Sequence, residues 1–195
     1  PLVGVAMPFT VTQFLWINLV MDSLAAIALA SEPADERVLL DKPRNKSEFI
    51  INKQLGKAIF GFGGFVWLLC IAILWGMEHL STIAAWGCES LTNFFANITP
   101  TVFFATYMCI NWWNMFNARV IGKNKSIFSG LFDNNKFIGI MIFILAVTIL
   151  IVQVGGEVFQ TQPLDTKTWL WIILLTSPIA WVRELYFQLI GKRKK

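Results

Sequence analysis

Hydrophobic residues fall into five long stretches that are separated by polar segments. Each stretch is long enough for a helix that crosses about 30 Å of hydrocarbon, which takes roughly 20 residues. The pattern therefore predicts an all-α membrane protein with five transmembrane helices and a polar loop at residues 31–52. The predicted spans cover about residues 9–30, 55–76, 97–117, 137–154 and 168–190.

The composition supports a membrane location. Hydrophobic residues make up 56% of the chain and charged residues 14%, whereas soluble domains are about 45–50% apolar and about 25% charged. The nine tryptophans agree, because indole rings favour the membrane–water boundary. The three cysteines have no spacing that indicates a disulfide framework or a metal cluster.

The distribution of Lys and Arg predicts the orientation of the spans. All 16 basic residues except Lys167 lie around the loop after the first span, around the loop after the third, or near the C-terminal end. Because cytoplasmic segments carry an excess of Lys and Arg, these regions are expected to be cytoplasmic. The N-terminus is then outside and the C-terminus is cytoplasmic. A net charge of +4 distributed in this way does not indicate nucleic-acid binding.

The first span carries Asn18 and Asp22 in its apolar middle. A carboxylate near the bilayer centre costs roughly 2.5–3.5 kcal/mol, so Asp22 needs a partner. Residues four apart share one face of a helix, and an amide oxygen and a carboxylate would therefore converge on one point. We interpret the pair as ligands of a cation. The alternative is a structural pair that hydrogen-bonds to a neighbouring helix.

The third span is the second polar helix. Asn111, Asn114 and Asn117 recur every three residues and share a face that drifts slowly around the helix. They either bond to the first span or lend oxygens to a cation, so Asn111 and Asn114 are further candidate metal ligands.

In the last span, Pro178 is expected to kink the helix because it lacks a backbone donor.

Three pieces of the first span and its loop form a recognisable pattern. Residues Gln13–Asp22 read QFLWINLVMD, Ala28–Pro33 read ALASEP and Lys42–Asn45 read KPRN. Together they resemble the sixth membrane helix and the following loop of P-type calcium pumps. The runs Asn117–Gly122 (NARVIG) and Val152–Gly156 (VQVGG) resemble later parts of the plasma-membrane type. The resemblance covers nearly the whole chain and implies the last five helices of such a pump.

Two departures concern the number of ions. Met21 stands where the two-site sarcoplasmic type has a threonine, and Asn111 stands where that type has a glutamate. Calcium takes about 6–8 oxygen ligands, so the loss of a hydroxyl and of a carboxylate removes support for a second site. The resemblance therefore implies one Ca²⁺ per cycle, with Asn18 and Asp22 as ligands.

The resemblance also implies an ATP-driven pump that exports Ca²⁺ from the cytoplasm, as a multi-pass protein of the plasma membrane. Residues 1–195 would form its C-terminal transmembrane domain and contain no catalytic residue. The phosphorylation motif DKTGT and a nucleotide-binding domain do not occur in this sequence, so Mg-ATP would act through other parts of the pump. Expected partners are the remaining helices, the cytoplasmic domains and the lipid bilayer, with no nucleic acid.

Other function classes stay open at this point. Another P-type pump could carry Mn²⁺, Na⁺ or H⁺ instead of Ca²⁺, since hard oxygen ligands suit several cations. A secondary transporter would use Asp22 as an ion relay and would need no ATP. In a purely structural helical bundle, Asp22 and the asparagines would only pair helices.

The ligand count predicts that the isolated chain binds Ca²⁺ weakly or not at all. Asn18 and Asp22, even with Asn111 and Asn114, offer fewer oxygens than the 6–8 or so that calcium takes. Calorimetric titration of the purified chain in detergent checks this expectation. Clear saturation at micromolar Ca²⁺ would contradict it.

Overall fold

The computed structural model describes residues 8–33, 53–87, 89–121, 123 and 125–189. All regular secondary structure in these residues is helical. We number the helices α1 to α9 and treat three consecutive helical segments at the start as one helix, α1. Their bounds are α1 Val11–Ala30, α2 Lys53–Glu78, α3 Leu80–Ala85, α4 Glu89–Ala96, α5 Pro100–Ala118, α6 Asn135–Val154, α7 Gly156–Phe159, α8 Thr166–Thr176 and α9 Pro178–Leu189.

The all-helical prediction is confirmed for the described residues. Three helical segments, Val11–Ala30, Ile59–Glu78 and Asn135–Val154, are long and apolar enough to cross a membrane. Helix α5 occupies most of the third predicted span, and its asparagines make it more polar. Helices α8 and α9 divide the fifth predicted span between them, so that each is too short to cross alone. Most of the predicted loop 31–52, including Lys42–Asn45, lies outside the described residues.

The division of the fifth span occurs where Pro178 was expected to kink the helix. Helix α8 ends at Thr176 and α9 begins at Pro178. Proline has no N–H to donate to the carbonyl four residues earlier, which belongs to Leu174. The Ser177 hydroxyl donates to that carbonyl instead, at 2.8 Å. The side chain therefore satisfies the acceptor that the proline leaves open.

Helix α5 lies at the centre of the fold and packs against α6, α8 and α9. The C-terminal half of α1 packs against α6. Buried apolar side chains from these helices form one cluster around Phe104 and Met108 and a second around Phe116 and Phe137. The two clusters follow one another along α5, so this helix organises the core over its whole length.

Contacts at its two ends show that α1 runs in the same direction as α5. The ring of Phe9, just before α1, lies 5.4 Å from Phe103 and 5.0 Å from Tyr107 between ring centroids. Past the other end of α1, Glu32 forms an ion pair with Arg119, which follows α5. We call these ends of the bundle the Phe9 end and the Arg119 end. Helix α6 runs back from the Arg119 end, and α8 with α9 returns to it.

Side-chain hydrogen bonds fasten the Phe9 end. The Gln13 amide donates to the Phe159 carbonyl at 2.8 Å, which joins α1 to α7. The amide of Gln153 donates to the Leu164 carbonyl at 2.8 Å and accepts from the Leu164 N–H at 2.9 Å. In the same region Asp165 caps α8, and the hydrogen bond from the Thr168 hydroxyl holds the pKa of this carboxyl below its usual value.

Helices α2, α3 and α4 pack against one another. Helices α3 and α4 lie between the second and third predicted spans, where the sequence pattern predicts no helix. His79 lies between α2 and α3, and its ring stacks on Trp75 with 4.7 Å between centroids. Trp86 stacks near the same indole at 6.0 Å. The single histidine thus belongs to an aromatic stack.

Two neighbouring tryptophans of α5 provide a matched test of its contact with α6. The Trp112 indole donates to the Met141 carbonyl at 2.9 Å. The Trp113 indole N–H is buried and has no acceptor among the described residues. We expect Trp112→Phe to lower the free energy of unfolding by about 1 kcal/mol more than Trp113→Phe, because both lose similar ring volume and only the first loses a hydrogen bond. Thermal unfolding in detergent measures the difference, and a larger loss for Trp113→Phe would contradict the assignment.

Candidate cation site

Helix α1 changes its winding where the two polar residues lie. Residues Val11–Leu15 and Asp22–Ala30 are α-helical, but Trp16–Met21 form a π-helical segment. The N–H of Asp22 accordingly bonds to the carbonyl of Ile17, five residues earlier. Such π-helical turns are rare and occur frequently at functional sites. The sequence pattern gave no sign of this turn.

Buried apolar residues and exposed polar residues stand next to one another in and just after the π-helical segment. Ile17 and Met21 are buried in the core cluster beside α5. Asn18 and Asp22 each follow one of these residues, and both are exposed on the surface of the described bundle. Both predicted ligands therefore lie on the exposed surface of α1, among exposed apolar residues such as Leu15 and Leu19, and their role as ligands stays a prediction.

The asparagines of α5 differ in their partners. The Asn111 amide donates to the Tyr107 carbonyl of its own helix at 2.9 Å. Asn114 is half-buried. The Asn117 amide donates at 2.9 Å to the carbonyl of Ile179, at the start of α9. Asn117 therefore holds α5 against α9, next to the interruption at Pro178.

Tyr107 precedes Asn111 by one turn of α5. Its carbonyl accepts from the Asn111 side-chain amide, and its ring contacts Phe9, which precedes α1. In the described residues, however, no hydrogen bond links Asn18 or Asp22 to Asn111 or Asn114. The described residues thus show no direct contact that joins the four predicted ligands into one site, and their role stays a prediction.

The described residues contain no group of three or more His, Cys, Asp and Glu side chains that could hold a metal ion. Asp22 supplies a single carboxylate, and Asn18 adds one amide oxygen on the same side of α1. Calcium would need several more oxygens, about 6–8 in total. Asn18 and Asp22 by themselves therefore offer fewer oxygens than calcium takes.

A second polar cluster, at the Arg119 end, was not found from the sequence. It joins Glu32, Arg119 and Asn134, which lie after α1, after α5 and before α6. Glu32 lies in the ALASEP piece and Arg119 in the NARVIG run, so both occur in motifs that carried the resemblance. From the sequence, Arg119 counts only among the basic residues that are expected in the cytoplasm. Glu32 and Arg119 are 87 residues apart, and no local spacing pattern predicts that two such distant residues form an ion pair.

Comparison with known families identifies the chain. The family model described as "Cation transporting ATPase, C-terminus" matches residues 6–189, which is nearly the whole sequence. The chain belongs to this family. The resemblance that the first span and the later motifs indicated is therefore confirmed.

Individual members of this cation-transporting ATPase family are similar over most of the chain. Plasma membrane calcium-transporting ATPase 2 of Oreochromis mossambicus is 34% identical over 172 residues, which are 86% of this chain and 15% of that protein. Plasma membrane calcium-transporting ATPases 1 and 3 of Homo sapiens are 34% and 33% identical over 86% and 89% of this chain. This chain spans only 14% of either human protein.

Proposed function

We propose that this chain is part of the membrane domain of a P-type calcium pump that exports Ca²⁺ from the cytoplasm across the plasma membrane. The observation that carries the proposal is the similarity to plasma membrane calcium-transporting ATPases, which extends over 86% of the chain. The chain's own residues add an exposed carboxylate and amide at a π-helical turn in an apolar helix. Both features suit a helix that handles a cation within the membrane.

The proposed topology has five membrane spans, with the N-terminus outside and the C-terminus in the cytoplasm. Its support is the alternation of the helices between the Phe9 end and the Arg119 end. Lys123, Lys125 and Lys136 lie towards the Arg119 end, and Lys167 lies at the opposite end. An excess of basic residues on the cytoplasmic side assigns the Arg119 end to the cytoplasm.

In this proposal Asn18 and Asp22 are ligands of the transported ion, with Asn111 and Asn114 as further candidates. An exposed carboxylate facing lipid would cost roughly 2.5–3.5 kcal/mol, so the exposed side of α1 needs a cover. Helices from the rest of the pump supply that cover and the missing oxygens. Met21 is buried in the core and offers no oxygen, which supports one Ca²⁺ per cycle.

The mechanism follows from a site that is shared between this chain and other helices. Ca²⁺ enters from the Arg119 end, and the Asp22 carboxylate neutralises part of its charge while Asn18 replaces part of its hydration shell. Mg-ATP acts on domains outside this chain, and their phosphorylation moves the covering helices relative to α1. The site then opens towards the Phe9 end and the ion leaves. The partners of the chain are thus the remaining helices, the cytoplasmic domains and the bilayer.

Asp22→Asn in the full-length protein tests the site. This change keeps the side-chain shape and removes the charge, so the Ca²⁺ concentration for half-maximal phosphorylation by ATP should rise at least about 100-fold. Ca²⁺-dependent phosphorylation in isolated membranes measures it. Ser23→Ala serves as the control, because Ser23 is the exposed neighbour of Asp22 and is not a proposed ligand.

Different results would support different function classes. If Asp22→Asn is phosphorylated at the same Ca²⁺ concentration as the unmodified protein, Asp22 is not a ligand of the ion. Transport by the unmodified protein without ATP would indicate a secondary transporter. Half-activation by Mn²⁺ at far lower concentrations than Ca²⁺ would keep the pump and change its ion.

A further inference from the structure

We propose that Arg119 is a positioning residue for the cation site. By binding Glu32, it fixes the position of α1, the helix that carries Asp22, along the axis of α5. This inference rests on the proposed function, since it concerns how the same site is held in shape. Arg119 itself does not touch the ion. Its role is to fix one helix that carries a ligand relative to another that carries further candidates.

The contact between Arg119 and Glu32 has a defined geometry. The Arg119 Nε donates to Oε1 of Glu32 at 2.6 Å, and Nη2 donates to Oε2 at 3.2 Å. The exposed fraction is 2% for the Arg119 side chain and 12% for that of Glu32. Two parallel hydrogen bonds between a planar guanidinium and a carboxylate restrict both the distance and the angle between their helices.

The remaining contacts of Arg119 hold the guanidinium in place. Its Nη1 donates to the Ile127 carbonyl at 3.2 Å, and its Nη2 donates to the Ser129 carbonyl at 3.4 Å. The Phe137 ring lies 4.9 Å from the guanidinium carbon. The connection between α5 and α6 thus holds Arg119 from the other side, and the side chain cannot shift without breaking these bonds.

Asn134 extends the cluster to the start of α6. Its amide donates to Oε1 of Glu32 at 3.0 Å and to the Ser31 carbonyl at 3.1 Å. Its side-chain oxygen accepts from the Phe137 N–H at 3.0 Å and so caps α6. The ends of α1 and α5 and the start of α6 therefore meet at one cluster, which we call the Glu32–Arg119–Asn134 cluster.

The position of the cluster determines which residues lie at the same depth. Asp22 precedes Glu32 by ten residues and Asn111 precedes Arg119 by eight, which correspond to about 15 Å and about 12 Å along a helix. Because α1 and α5 run in the same direction, Asp22 and Asn111 differ in depth by about 3 Å when both are counted from the ion pair. A slip of α1 by one turn, about 5.4 Å, would remove Asp22 from this level.

Packing alone does not explain a buried ion pair at this place. Replacing such a pair with apolar residues of similar volume is often neutral or stabilising, so the pair is weak evidence for a role in stability. An apolar replacement has no directional hydrogen bonds. Apolar contacts would therefore let α1 slide along α5, whereas the ion pair does not. The structure thus favours a role in alignment, and the role in alignment can be separated from stability by experiment.

The experiment compares three variants of the full-length pump. Arg119→Met removes one partner and leaves the Glu32 carboxylate buried, so it should lower both thermal stability and Ca²⁺ affinity. The double variant Glu32→Leu with Arg119→Met leaves no unpaired buried charge and should recover part of the stability that Arg119→Met loses, although the Ile127 and Ser129 carbonyls still lose their donor. Lys136→Met is the control, since this exposed cation at the start of α6 lies outside the cluster. The readouts are thermal unfolding in detergent and the Ca²⁺ concentration for half-maximal phosphorylation.

We expect the double variant to need about tenfold more Ca²⁺ than the unmodified pump, in the range by which residues away from a ligand alter its binding. Its stability should exceed that of Arg119→Met, and its phosphorylation at saturating Ca²⁺ should match that of Lys136→Met. Normal Ca²⁺ affinity in a stable double variant would overturn the proposal. If the double variant is unstable, Arg119→Lys takes its place, because it keeps the positive charge and loses the two parallel hydrogen bonds of the guanidinium. A rise of about tenfold in the Ca²⁺ requirement of Arg119→Lys supports the proposal, and an unchanged Ca²⁺ requirement overturns it.

The two proposals can fail separately. If Asp22→Asn keeps its normal response to Ca²⁺, the proposed site is wrong and Arg119 has nothing to position. If Asp22→Asn abolishes the response but the cluster variants leave it unchanged, the site stands and only the positioning role is wrong.

Discussion

The arrangement of this bundle depends on the ion pair between Glu32 and Arg119. It joins the end of α1 to the end of α5, and Asn134 adds the start of α6. A guanidinium that is 2% exposed cannot remain unpaired in such surroundings, so its acceptors must come to it. These acceptors belong to Glu32, just after α1, and to the segment after α5, which is why these parts of the chain meet there.

Helix α1 is thus held at both ends and irregular in the middle. Gln13 bonds to the Phe159 carbonyl at one end, and Glu32 binds Arg119 at the other. Between them lies the π-helical segment Trp16–Met21, which is followed at once by Asp22. The irregular segment thus lies between two fixed ends of the helix, next to the residues proposed to bind the ion.

The membrane environment explains why similar polar groups have different roles in this chain. Asn117 and Gln153 donate to backbone carbonyls inside the bundle and hold helices or loops together. Asn18 and Asp22 lie on the outer side of α1, where lipid could satisfy neither. Under the proposed function, helices from the rest of the pump cover this pair.

The amino-acid sequence by itself determined the helical class, the approximate positions of the long helices and the family, and it supplied the prediction that Asn18 and Asp22 share a face. These follow from hydrophobic length, from proline and asparagine positions, and from four-residue spacing, all of which are local. Only the tertiary structure decided that Trp112 has an acceptor and Trp113 has none, and that Glu32 binds Arg119. Such pairings depend on how distant segments meet, and in this bundle the partners lie up to 146 residues apart. The π-helical turn belongs with them, because its local sequence is as apolar as that of an ordinary helix.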